Sequence, residues 1–294
     1  MSEPRFYVDD CPATYPVADW IKRQLPWREA KNDVIRKVID RKDTSFVFQF
    51  TGNLEGLQQS VSEALDTVGF HGWLSAEGEG RVYGGYSITY NPDLIYKDQP
   101  IHQHTLGTKL NSFATGDFYT GSARNHNGML KNSYLDGASF NEFTPAAKIG
   151  YMGEFLEEIN KNVTVTRSRL GIVKGNKTSL EMNYHVDAEM FELTRLNIPI
   201  SGDDNFLFEI QGKQPYVLEL GKAYSWHTEW PHRVYCYKET NTDRANMVIG
   251  WSPWLTYNKE ERYWYPNEYF GKKHPFDMLI DGDVTDKIKL IESF

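Results

Sequence analysis

The sequence predicts a mainly β protein, an antiparallel barrel or jelly roll, with supporting helices from an N-terminal α+β region. Three observations predict it. From residue 163 onward, short β-branched and aromatic runs follow one another between turn residues, with no helical stretch among them. Upstream, two stretches instead place apolar residues at three- and four-residue intervals. At 294 residues and 40% hydrophobic composition, the chain is long enough to bury a full core around such a scaffold.

The first helix is "NLEGLQQSVSEALDTVGF". Leu54, Leu57, Val61, Leu65 and Val68 form one stripe, Asn53 is its N-cap, and Gly69 falls just past its end. In the second, "TPAAKIGYMGEFLEEINKN", Thr144 can cap and Pro145 suits the first turn, while Ile149, Met152, Phe155, Leu156 and Ile159 form the buried stripe. Residues 72–143 are rich in Gly, Asn, Tyr and Ser without a sustained period, which predicts long loops of the kind that carry function. The strand-like runs then read "VTVTRSRLGIV", "TSLEMNYHVD", "LTRLNIPI", "FLFEI", "YVLEL", "GKAYSW", "HRVYCY" and "ANMVIGW". An aromatic tail and a last helix from about Thr285 pack back on them. Three segments result: a helical and loop-rich region at 1–150, a β core at 151–255 and an aromatic, helical extension at 256–294, forming one compact unit.

A formal net charge of −8 offers no domain-wide positive field, which argues against nucleic acid or an anionic membrane as partner. The N-terminus lacks a charged-then-apolar leader, and no apolar run is long enough to span a bilayer; the expected location is cytoplasmic. The two cysteines, Cys11 and Cys236, are far apart and read as free thiols in a reducing compartment.

The stretch "MNYHVDAEMF" places His185 and Asp187 two apart. On a strand such residues share a face, so an imidazole and a carboxylate can reach one ion. An isolated HxD pair is a frequent accident, and a third ligand is needed. "YSWHTEWPHRVYCY" offers His227 and His232, whose odd separation sends them to opposite faces of a strand. His232 follows Pro231 and opens an alternating run with Val234 and Cys236, so it is the expected ligand; His227 is then a neighbour of the site, substrate-facing or at the surface. Two histidines and one carboxylate on a β scaffold match the arrangement that leaves open positions on Fe(II). Arg244, twelve residues after His232 at the head of "RANMVIGW", has the donor fork to grip a carboxylate at two points. The rival pair His102 and His104 in "IHQHTLG" lacks flanking strand periodicity, and His71, His126 and His274 fit turns or loops.

Residues 165–255, through "RSRLGIVKGNKTSLEMNYHVD", "LTRLNIPI", "GKAYSWHTEWPHRVYCY" and "DRANMVIGW", resemble the Fe(II)- and 2-oxoglutarate-dependent oxygenases of the aspartyl/asparaginyl β-hydroxylase type, which include small bacterial proline hydroxylases. The resemblance implies a double-stranded β-helix of cupin-like form, with His185, Asp187 and His232 on iron and Arg244 on the distal carboxylate of 2-oxoglutarate. Family members carry an Arg-x-His pair on the following strand; here it reads Arg195-Leu196-Asn197. Arg195 becomes a candidate for co-substrate or substrate carboxylate contact, and Asn197 stands at the histidine position. The implied reaction consumes O2 and 2-oxoglutarate, releases succinate and CO2, and hydroxylates an amino acid or a residue of a peptide or protein. Trp226, Trp230 and Tyr235 could wall such a site against water. The competing class is a non-catalytic cupin- or lectin-like binding barrel. Arg244 discriminates, because a binding barrel needs no carboxylate clamp opposite a metal.

Overall fold

The architecture is that of a computed structural model, which describes residues 45–72, 82–92, 101–106, 140–178, 184–185, 187, 190, 193–228, 230–260, 263–269, 272–288 and 291–293. The strands in chain order are β1 (Ser45–Phe50), β2 (His71–Gly72), β3 (Tyr83–Ser87), β4 (Thr89–Tyr90), β5 (Glu142–Phe143), β6 (Val165–Val173) and β7 (Thr194–Ser201). They continue with β8 (Phe206–Ile210), β9 (Lys222–Trp226), β10 (His232–Cys236), β11 (Arg244–Trp251), β12 (Leu255–Asn258), β13 (Tyr263–Pro266) and β14 (Ile291–Ser293). The helices are α1 (Leu54–Val68), α2 (Gly150–Asn160), α3 (Pro275–Ile280) and α4 (Thr285–Ile288).

Helix α1 starts where its cap predicts: the Asn53 side chain accepts from Gly56 N at 3.0 Å. Leu57, Val61 and Ala64 are buried from it. Helix α2 starts later than the sequence suggests. Thr144 caps only a short 3-10 turn, Ala146–Lys148, its hydroxyl accepting from Ala147 N at 3.3 Å. The chain then resets at Gly150, whose φ of 53° suits glycine, before Met152 N donates to Ser60 Oγ of α1 at 3.2 Å. This close approach seats α2 on α1, and Met152, Phe155, Leu156 and Ile159 are buried beneath it.

The large sheet is antiparallel throughout, in the order β14-β1-β9-β7-β11-β6-β3-β2. Alternation sorts its two faces. Leu196, Ile198 and Ile200 of β7, Met247, Ile249 and Trp251 of β11, and Leu170 and Ile172 of β6 join the helices in one apolar core. The intervening residues, among them Arg195, Asn197, Arg244, Asn246 and Val248, face the other way. That face is covered by the short β8–β10 ladder, whose Phe208 and Ile210 pack with Tyr224 and Trp226 of β9. Polar residues, among them Arg195, Asn197, Arg244 and Asn246, are buried on this face.

The observed architecture is mainly β, one large antiparallel sheet with a shorter ladder against it. Its strands differ in places from the sequence reading. Within "TSLEMNYHVD" the described pairing is a single bridge, His185 with His232, and within "YVLEL" it is Tyr216 with Phe208. Conversely, β1 and β3 lie where no strand is expected from the sequence. Strand β3 contains Gly84 and Gly85; a Cβ on Gly85 would stand 1.8 Å from Leu170 O, and its φ is 136°. Glycine lets β3 close on β6, and it also hides the strand from periodicity. β1–β3, β6, β7, β9, β11 and β14 share the sheet, which draws strands from all three sequence segments. The terminal helix α4 begins at Thr285, as expected. Among the described residues no helix is long and apolar enough to cross a membrane.

Candidate metal centre

His232 opens β10 and is buried, whereas His185 and Asp187 lie outside the named strands among the described residues. Backbone bonds tie that segment down: His185 N to His232 O at 3.0 Å, His232 N to His185 O at 2.9 Å, and Asp187 N to Thr228 O at 2.8 Å. The result is one cluster. A ligand atom from each of His185, Asp187 and His232 lies within 4.8 Å of the other two, and among the described residues no other group of three or more His, Cys, Asp or Glu does so. His185 stands at the exposed rim and His232 at the buried floor.

The atoms are prepared for a cation. His232 Nδ1 lies 2.8 Å from Trp230 O; a carbonyl only accepts, so Nδ1 carries the proton and Nε2 keeps its lone pair for a metal. That Nε2 is 3.5 Å from Asp187 Oδ2. Burial alone would raise the Asp187 pKa. The Arg195 charge leads the effects that outweigh burial, holding the carboxyl well below the usual carboxylate range. Two neutral-capable imidazoles and one ionised carboxylate suit a divalent transition metal.

Arg195 Nη1 pairs with Asp187 Oδ2, so it orients a candidate ligand. Asn197, also buried, is engaged within the fold: its Oδ1 accepts from Asn246 Nδ2 at 2.9 Å and its Nδ2 donates to Tyr224 O at 3.5 Å. Arg244 lies farther along the same inner face. It is 7% exposed, beside Tyr83, whose hydroxyl donates to Val234 O at 3.5 Å. Val234 is two residues beyond His232 on the inner face of β10, which puts Arg244 at the far end of the strip that begins at the triad. Burial pulls its pKa down from 12.5 to about 10, and among the described residues it forms no ion pair.

His227 does not join the cluster. Its ring lies 5.7 Å from Phe276 and 6.4 Å from His274 at the start of α3, and burial lowers its pKa. His274 is no turn residue; it is buried and its Nδ1 caps α3 by accepting from Phe276 N at 3.0 Å. His71 pairs with Gly85 in β2, and His102 stacks beside it at 4.3 Å. His104 is buried, with Asn91 N 3.4 Å from its Nδ1. The Cys236 thiol is buried and donates to Lys238 O, and burial pushes its pKa up, which makes it an inert packing group. Cys11 and His126 lie outside the described residues.

Of the three candidate wall aromatics, Trp226 lines the site, its ring 5.7 Å from that of His232 with Phe208 at 5.9 Å. Trp230 is 39% exposed, and Tyr235 points to the outer side of the ladder, against Arg233. Sequence reasoning missed Asn246, although its i, i+2 relation to Arg244 was available. Its Oδ1, with Trp226 Nε1 and Arg195 Nε, is buried without a hydrogen-bond partner. Buried polar atoms left without a partner call for a bound molecule or water.

No protein-family model and no curated protein sequence matches the chain. Similar solved structures include a prolyl hydroxylase in complex with a hypoxia inducible factor oxygen degradation domain peptide fragment from Trichoplax adhaerens. It is 10% identical over 82% of this chain and 94% of that one, with a TM-score of 0.36. The apo form of ThoJ, a non-heme monooxygenase, is 10% identical over 84% and 95%, with a TM-score of 0.35. An oxidoreductase of the 2OG-Fe(II) oxygenase family from Burkholderia pseudomallei is 13% identical over 30% of this chain and 43% of that one, at 0.23. The chain thus spans less than half of that last protein. Scores this low carry no functional argument, and the case for the site rests on its own geometry.

Proposed function

We propose that the chain is an Fe(II)- and 2-oxoglutarate-dependent dioxygenase on a double-stranded β-helix, hydroxylating an unactivated C–H bond of an amino acid or peptidyl residue. One observation carries the proposal: His185, Asp187 and His232 converge at one end of an inner strip whose other end holds Arg244, a buried cation with no ion-pair partner among the described residues. The ligand set fits iron, and the strip fits a dicarboxylate. Fe(II), with 2-oxoglutarate and O2, would supply the oxidative decarboxylation to succinate and CO2 that drives hydroxylation.

The chain's own residues divide the remaining work. Trp230 O fixes the tautomer that leaves His232 Nε2 free to ligate. Arg195 holds the Asp187 carboxylate ionised and aimed. Arg244 would return its desolvation cost by taking the distal carboxylate of 2-oxoglutarate in a charge-assisted pair. Asn246 and Asn197 lie on the strip between, and Trp226 and Phe208 shield the buried floor from water. The test is turnover: iron-loaded protein is incubated with 2-oxoglutarate and O2, with and without panels of free amino acids and short peptides. Succinate formation stimulated by one panel supports the proposal and names the substrate class. Absence of turnover together with failure to retain iron would favour a binding barrel.

A further inference from the structure

Two of the three candidate ligands, His185 and Asp187, lie outside the named strands among the described residues, and one set of contacts to their segment lies on the outer side of the β8–β10 ladder. Tyr184 immediately precedes His185, and neighbouring side chains of an extended chain point to opposite sides. While His185 turns toward the metal cluster, Tyr184 turns outward over Arg233, whose guanidinium carbon is 4.5 Å from the Tyr184 ring centroid. The Tyr235 ring takes the same guanidinium at 4.6 Å. Arg233 Nε and Nη2 reach Glu209 Oε2 at 2.7 and 2.6 Å, across the register pair that joins β10 to β8. The Tyr184 hydroxyl hydrogen-bonds the same carboxylate. Arg233 follows His232 on β10, and Glu209 precedes Ile210, the register partner of His232.

We propose that Tyr184, Arg233 and Glu209 form a positioning clamp that holds His185 and Asp187 at ligating distance from His232. The inference rests on the metal-centre reading above and assigns residues that touch neither metal nor substrate. The physical basis is preorganisation. A ring over a guanidinium within about 6 Å is attracted to it, and the two-point Arg–carboxylate contact fixes the guanidinium plane under that ring. Without the clamp, the HxD segment loses its outer-side anchor, and it spends more time with both ligands displaced. Apparent metal affinity falls by the fraction of time the site is assembled. Loss of partners that orient a ligand typically weakens metal binding about 10- to 100-fold.

The test reads metal affinity separately from stability. Co(II) is titrated by its visible absorption into wild type, Tyr184→Ala, Arg233→Ala and Tyr184→Phe, and each Tm is recorded. Leu57→Ala, in the fully buried face of α1 behind the large sheet, serves as the destabilised control. Expected are a Co(II) Kd at least about tenfold weaker in both alanine variants, a smaller loss in Tyr184→Phe, which keeps the ring, and an unchanged Kd in Leu57→Ala despite its lower Tm. Wild-type affinity in Tyr184→Ala and Arg233→Ala overturns the clamp, as does an equal loss in Leu57→Ala. A wild-type chain that binds no Co(II) overturns the metal-centre reading itself, and this inference with it.

Discussion

Replacing Arg244 with methionine should make the protein more stable and less able to hold its co-substrate, two effects of opposite sign from one side chain. The magnitude follows from burial. Holding the guanidinium away from water drops its pKa from 12.5 to about 10, and at about 1.36 kcal/mol per unit this corresponds to roughly 3 kcal/mol spent to keep it charged at neutral pH. Methionine retains an apolar stem to fill the space and removes that cost. Arg244→Met is thus expected to gain up to about 3 kcal/mol in the ligand-free protein, visible as a Tm higher by several degrees. Under the proposed function the same change deletes one half of a desolvated charge pair with 2-oxoglutarate, a loss of about 2–5 kcal/mol, or at least about 30-fold in Kd. Thermal melts give the first quantity, and anaerobic calorimetric titration of 2-oxoglutarate into metal-loaded protein gives the second. A variant that is destabilised while binding 2-oxoglutarate normally would refute the reasoning and make Arg244 a structural cation.

Further expectations follow from the same structure. Asp187→Ala should abolish metal binding and, by leaving the buried Arg195 without its anion, cost about 3 kcal/mol in urea unfolding of the metal-free protein; a neutral effect would contradict the ion pair. His227 has a folded-state pKa below its ordinary 6.5, so the unfolded chain binds the proton more readily. Stability should therefore fall as pH drops below about 6.5, and His227→Phe should remove part of that loss without changing metal affinity. Gly85→Ala forces a side chain into positive φ and against Leu170 O; a loss of about 2–3 kcal/mol is expected, and a variant that melts like wild type would argue against the tight β3–β6 contact.

What the sequence disclosed depended on whether the information was local. Helix α1 was readable because its cap, stripe and terminal glycine are all local signals. Strands β6, β7, β9, β10 and β11 announced themselves through branched and aromatic runs. Strand β1 did not, because its place between β9 and β14 is a tertiary fact. Strand β3 was masked by Gly84 and Gly85, which exist there for a close backbone approach. The site followed the same rule. The choice of His232 over His227 rested on the alternating run that His232 opens after Pro231, and the structure brings His232 to the cluster and sets His227 against α3. The Arg195–Asp187 pair could not be read, since its two residues meet only in the fold. Nor could the Tyr184–Arg233–Glu209 contacts, because three separate stretches meet only through the β8–β10 register.

The most direct test of the iron and 2-oxoglutarate reading is the visible charge-transfer absorption that appears when 2-oxoglutarate chelates protein-bound Fe(II) under anaerobic conditions. The account predicts one such site per chain in wild type and in His227→Ala, and loss of the band in His185→Ala, Asp187→Ala and His232→Ala. A wild-type protein that shows no band, or a His232→Ala variant that keeps it at full strength, would contradict the account.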